Sequence, residues 1–248
     1  MKRAALAAFV AFVFLAVSDA GADSLSDLRA VLQRYPGKAA FTASASVQVS
    51  GDSQGVAGAR GGSTNFEVVF GPDGLLIHVP PAALGAAESE AEEKKRDPEN
   101  RTPTRTAMVA LTIFDIIDAL DSAAMLLNDL DQATLISQTA STYAGKPATL
   151  MRIKVKPTLA GTNSRFVKEP KIELRVWVDP NGMPVAAERD SNYSASFVFV
   201  SASNVRKERW DFAVSGDRLY ASHSDEENRA SAIGRSIVSS RSVTYVPK

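Results

Sequence analysis

Between positions 39 and 50 the chain alternates without a break: Phe41, Ala43, Ala45, Val47 and Val49 interleave with Thr42, Ser44, Ser46, Gln48 and Ser50. A period of two belongs to a strand with one face in a core and the other in water. A slip of one residue would turn every side chain to the wrong side. The same period recurs along the chain. Phe66, Val68 and Phe70 share a face of a strand over Thr64–Phe70, and Leu75–Pro80 follows across the turn residues Gly71-Pro72-Asp73-Gly74. Further on, Met151, Ile153 and Val155 oppose Arg152, Lys154 and Lys156, and Ile172, Leu174, Val176 and Val178 oppose Glu173, Arg175 and Trp177. Asp179-Pro180-Asn181-Gly182 turns the second of these runs into Pro184–Asp190. Strand-like runs over Tyr193–Ser201, Val205–Val214, Arg218–Ser222, Ile233–Ser240 and Val243–Pro247 complete roughly ten or eleven strands. An antiparallel sheet of that size must curl.

Two stretches carry a helical period instead. Asp23–Tyr35 reads as a short amphipathic helix, with Asp23 or Ser24 at its cap and Leu25, Leu28 and Leu32 on one face before Pro36-Gly37. Ala107–Leu130 reads as one long helix whose Leu111, Phe114, Ile117, Leu120, Ala124 and Leu127 form an apolar stripe. The sheet is the surface available to cover that stripe. Asp115, Asp118 and Asp121 follow one another at three-residue spacing on another face. They read as a solvated polar face, with a hard-cation site as the sharper alternative. The expected fold is therefore α+β and mainly β: a curved antiparallel sheet forming an incomplete barrel, covered by the short N-terminal helix and the long one. The charged and small residues from Glu88 to Arg101 bury too little to order themselves, so 81–106 reads as a flexible charged insertion. A mobile lid is its alternative.

The beginning of the chain indicates a compartment. Lys2 and Arg3 precede an apolar run of fourteen residues, Ala4–Val17, and Ala20-Gly21-Ala22 supplies a small-x-small site. This pattern predicts a signal peptide over 1–22, a single domain over 23–248, and export to the periplasm or the extracellular space. A retained anchor is the alternative, although the apolar run is short of the roughly 20 residues of a span. Aspartates in the helix over 107–130 exclude it from a bilayer, so no transmembrane span is expected after cleavage.

The inventory of reactive groups is thin. Cysteine is absent, which removes disulfides, thiolate catalysis, thiolate metal sites and a lipid-bearing cysteine at the cleavage site. His78 and His223 are the two histidines, and no G-x-S-x-G, S-x-x-K or H-E-x-x-H pattern accompanies them. Gly51–Gly62 lacks the lysine ending of a phosphate-binding loop. No catalytic residue, metal ligand or cofactor is assigned, and the chain does not read as an enzyme. The 28 Lys and Arg balance the 28 Asp and Glu, so no basic excess exists to meet nucleic acid.

Three segments resemble the LolA-like superfamily of periplasmic lipoprotein carriers and lipoprotein-binding proteins. They are Ala40-Phe41-Thr42-Ala43-Ser44 behind the signal and short helix, Tyr143–Leu150 running into Ile153–Pro157, and above all Glu173-Leu174-Arg175-Val176-Trp177-Val178-Asp179-Pro180-Asn181-Gly182-Met183-Pro184-Val185. The resemblance implies an incomplete barrel whose open side is closed by helices around an apolar cavity for acyl chains. In this chain the lid would be Ala107–Leu130. The cavity would be lined by Val47, Phe66, Val68, Leu111, Phe114, Ile117, Ile153, Leu174 and Val176. The expected function is an exported, non-enzymatic binding protein for a lipid, an acylated protein or another hydrophobic ligand. The alternative is an interaction or sensor module that recognises an envelope protein through a sheet edge.

Overall fold

A computed structural model gives the fold over residues 20–53, 61–157, 167–197, 200–233 and 235–248. The expected signal segment falls mostly on residues 1–19, and the centre of the expected loop Gly51–Gly62 on residues 54–60; both lie outside the described residues. The first helix, α1 (Ala20–Leu32), begins at the small residues of the expected cleavage site and buries Leu25, Leu28 and Leu32. β1 (Phe41–Ser53), β2 (Gly62–Gly71) and β3 (Gly74–His78) follow. Four helices then precede β4 (Thr134–Tyr143), β5 (Lys146–Val155), β6 (Val167–Val178), β7 (Pro184–Phe197), β8 (Val200–Ser215), β9 (Arg218–Ala232) and β10 (Arg235–Pro247).

All ten strands form one sheet in the order β3-β2-β1-β10-β9-β8-β7-β6-β5-β4, and every neighbouring pair is antiparallel. The sheet is open, with β3 and β4 as its edges. The turn residues act as their chemistry requires. Asp179 accepts from the backbone of Asn181 and Met183 at 2.9 and 2.8 Å, and Gly182 supplies φ 81°. Two runs that read as separate strands are continuations: Tyr193 lies within β7, and Val243–Pro247 within β10. The polar edge strand β4 carried no alternation to announce it, and its hairpin to β5 turns through Ala144 and Gly145, both at positive φ.

The long helix is not continuous. The chain from 103 to 130 makes α3 (Pro103–Val109), α4 (Ile113–Leu120) and α5 (Ser122–Leu130). Thr112 and Asp115 form a capping box, in which Thr112 Oγ1 accepts from the Asp115 amide at 3.2 Å and Asp115 accepts from the Thr112 amide at 2.9 Å. Asp121 then caps α5 by accepting from the Ala124 amide at 3.3 Å. Each restart shifts the helical phase. The buried positions become Ile116, Ala119, Leu120, Ala123, Met125, Leu126 and Leu130, while Phe114 is 77 % exposed.

The segment expected to be a flexible insertion begins with a further helix, α2 (Pro81–Arg96), which buries no residue. Pro81 preorganises its first turn, and Lys94, Lys95 and Arg96 complement the dipole at its last. No helix among the described residues is long and apolar enough to cross a membrane.

The core lies on one face of the sheet. Phe41, Ala43, Ala45 and Val47 of β1, Phe66 and Val68 of β2, Met151 and Ile153 of β5, and Leu174 and Val176 of β6 join the leucines of α1 and the buried faces of α4 and α5 in one cluster.

Candidate functional site

The residues expected to wall a cavity divide in two. Val47, Phe66, Val68, Ile153, Leu174 and Val176 are brought together, but as packed members of the core under the helices. Leu111 and Ile117 are half-buried, and Phe114 points to solvent. The cause is the restart at Thr112 and Asp121, which turns Ile116 and Ala119 onto the sheet in place of Phe114 and Ile117, and Ala123 and Leu126 in place of Ala124 and Leu127, while Leu120 is buried as expected. Two larger hollows lie away from these residues, one further along the strands and one on the helix-free face.

β7 to β10 run past the helix layer, and a charged belt marks where they do. Arg189, Glu208, Glu226 and Arg241 stand directly opposite one another in one row across four strands. Asp129 of α5 and Asp115 of α4 meet the row from above. Arg189 bonds Asp129 at 3.0 Å and Glu208 at 2.8 Å, and Arg241 bonds Asp115 at 2.8 Å and also pairs with Glu226. Arg206, one level further out, reaches Glu208 at 2.9 Å, Glu226 at 3.1 Å and Asp115 at 3.4 Å. The two glutamates would repel across β8 and β9 were they not flanked by guanidiniums.

The electrostatics follow from this arrangement. Burial pushes the Asp115 carboxyl up, but hydrogen bonds from Arg241 and Thr112 outweigh it and hold the group at about 2. Burial works against the Arg189 charge, yet Glu208 and Asp129 keep it above the usual guanidinium range. Burial lifts Asp129 above the ordinary carboxylate value despite Arg189. Burial also lifts Asp118, against Arg189 and with the help of Glu208, Asp115 and Asp129. Thus Asp115 and Asp121 cap helices and Asp118 sits half-buried near the belt, so the aspartate ladder is not a solvated face.

Beyond the belt the helix-facing side continues without cover from the described residues. Ala195, Ala202 and Ala232 form one row, and Tyr193, Asn204, Ala230 and Ile237 the row before it. These small side chains floor a largely apolar hollow of about 360 Å3. The first turn of α4, tethered by Asp115 to Arg206 and Arg241, ends the helix layer on the near side and leaves Ile113 and Phe114 exposed. These alanines are hard to see in the sequence, because serines separate them and a small–polar alternation gives a weak apolar signal.

The helix-free face carries a larger, polar groove of about 750 Å3. Gln48, Ser50, Ser240 and Ser242 line one side, and Arg175, Glu188, Lys207 and Asp225 the other. His223 stands on the same face as Asp225, with Nδ1 3.0 Å from Thr244 Oγ1 and Nε2 3.1 Å from Asp225. His78 is exposed at the end of β3, opposite Glu67, so the two histidines share no site. Among the described residues no group of His, Asp or Glu is arranged to hold a metal ion. Neither a family model, nor a curated protein, nor a solved structure matches this chain.

Proposed function

We propose that the chain is an exported, non-enzymatic binding protein that holds a lipid, an acyl group or another hydrophobic ligand. The site is the uncovered hollow beyond the charged belt. The observation that carries this reading is an apolar concavity on the core side of the sheet, within the size range of small-molecule pockets, where the strands outrun the helices. The packed residues under the helices leave the cargo to that open end. Each methylene buried there contributes about 0.8 kcal/mol, and the adjacent belt offers polar groups to a headgroup. The resemblance of Glu173–Val185 to lipoprotein carriers points in the same direction.

A fluorescent fatty-acid probe tests the reading. The chain should bind it saturably, and Ala230→Trp, which fills the hollow, should abolish most of that binding. Probe binding that is non-saturable, or indifferent to Ala230→Trp, overturns it.

The polar groove on the helix-free face favours a second reading, an interaction module for a polar protein segment. Charge reversal at Lys207 separates the two, since it would abolish partner recruitment while sparing probe binding.

A further inference from the structure

The hairpin between β9 and β10 turns at Ile233, which has φ 52° and is 78 % exposed. A β-branched residue in the left-handed region is strained, and tight hairpin turns favour Gly or Asn there. An isoleucine at this point therefore serves neither the turn nor solubility. Two more apolar side chains stand exposed nearby. Ile237 is 54 % exposed on the helix-facing side, opposite Ala230, and Val238 is 39 % exposed on the reverse, opposite Arg229. A protein partner laid on the sheet would cover one face, whereas a lipid phase entered from the end surrounds both.

Charge completes the pattern. No charged residue occurs from Ser191 through Val205, although Asp190 and Arg206 bound that stretch. Arg235, next to the tip, is exposed and pairs with no carboxylate among the described residues.

We propose that this end of the sheet docks on an anionic lipid bilayer, with Ile233 entering the interfacial layer and Arg235 meeting lipid phosphates. The inference stands on the hairpin and not on the hollow, so either can fail alone.

Because the chain has no cysteine, an environment-sensitive fluorophore can be placed at Ser236→Cys near the tip, or at Asp73→Cys at the opposite end, in the full chain. Vesicles of phosphatidylglycerol and phosphatidylethanolamine should brighten and blue-shift the label at position 236 and leave that at 73 unchanged. Phosphatidylcholine vesicles or high salt should weaken the response. Ile233→Asn should weaken vesicle binding by roughly tenfold or more, as expected for one buried isoleucine. It should also raise the melting temperature by relieving the turn, and leave fatty-acid probe binding in solution unaltered. The proposal fails if the label at 236 is silent, if both labels respond alike, or if Ile233→Asn titrates like the parent. Brightening that depends on protein concentration without vesicles would assign the tip to a second copy of the chain and also overturn it.

Discussion

The Tyr143 hydroxyl donates to Asp211 and accepts from Arg209 at 2.8 Å, although Tyr143 lies on β4 and both partners lie on β8, four places away in the sheet. In a flat sheet four strand spacings come to about 19 Å, so this contact measures how far the sheet curls toward its helix-free side. Trp177, its ring 5.5 Å from that of Tyr143, and the buried Ala148 and Ala186 fill the bend. Tyr143→Phe keeps the ring and removes both hydrogen bonds. It should cost about 1–2 kcal/mol in urea denaturation, and Tyr143→Ala should cost more.

Arg218 is 1 % exposed and bonds three backbone carbonyls: Leu120 at 3.2 Å, Ala39 at 2.9 Å and Gly37. It closes the C-terminal end of α4, where a cation is favoured, and ties that end to the approach to β1. Arg218→Ala leaves those carbonyls without a donor and opens a void, so a loss of about 3–5 kcal/mol is expected. Arg218→Lys should recover little of it, since one ammonium cannot reproduce the fork. Thermal unfolding of both variants checks this.

Acid should act on the belt in two opposite ways. Asp115 is held at about 2, below its ordinary 3.8, so its contribution is full above the ordinary value and is lost as pH falls from about 4 to about 2. That contribution is on the order of 2 kcal/mol. Asp118 and Asp129 are raised, so their ionisation weakens the fold and protonating them strengthens it. Stability should therefore rise on mild acidification and fall on strong acidification. Asp118→Asn should be the more stable chain near neutrality and show a smaller acid-side gain, while Asp115→Asn should lose the steep acid limb. Urea midpoints from about pH 2 to about pH 8 test all three chains.

Gly62 marks where α3 lies on β2. A Cβ there would stand 1.9 Å from the Pro103 carbonyl oxygen, and neither backbone can yield without lifting the helix. Gly62→Ala should cost about 3 kcal/mol. Gly85→Ala, in exposed α2 with nothing within 4 Å of the added carbon, should gain about 0.5–1 kcal/mol. Melting temperatures that move in opposite directions are the expected result.

The sheet was largely legible in sequence, because the alternation in β1, β2, β5 and β6 and the Asp-Pro-Asn-Gly turn are local properties of the chain. The break of the helical segment was not. Thr112, Asp115 and Asp121 fit a polar face at helical spacing, and a cap differs from such a face only in where the carboxylate points. Helix α2 is not legible from burial, since it buries nothing; Pro81, the terminal basic residues and a Glu92–Lys95 pair sustain it in water. The belt was hidden for a subtler reason. Glu208 and Arg241 occupy core-side positions that hold apolar residues elsewhere in the sheet, and only Asp115 and Asp129, distant in sequence, make those positions habitable for charge. The hollow beyond was invisible because its floor is alanine.

β1 lies between β2 and β10, third from the β3 edge of the sheet, so the first and last strands of the fold are partners along their lengths, Ala43 to Pro247 and Ser53 to Ile237. The β1–β3 unit joins the other seven strands only through β10, so the two parts of the sheet are united by its pairing of longest sequence separation. Contacts of such long separation slow folding. Until that pairing forms, β1–β3 and β4–β10 remain two separate sheets, each with an extra open edge.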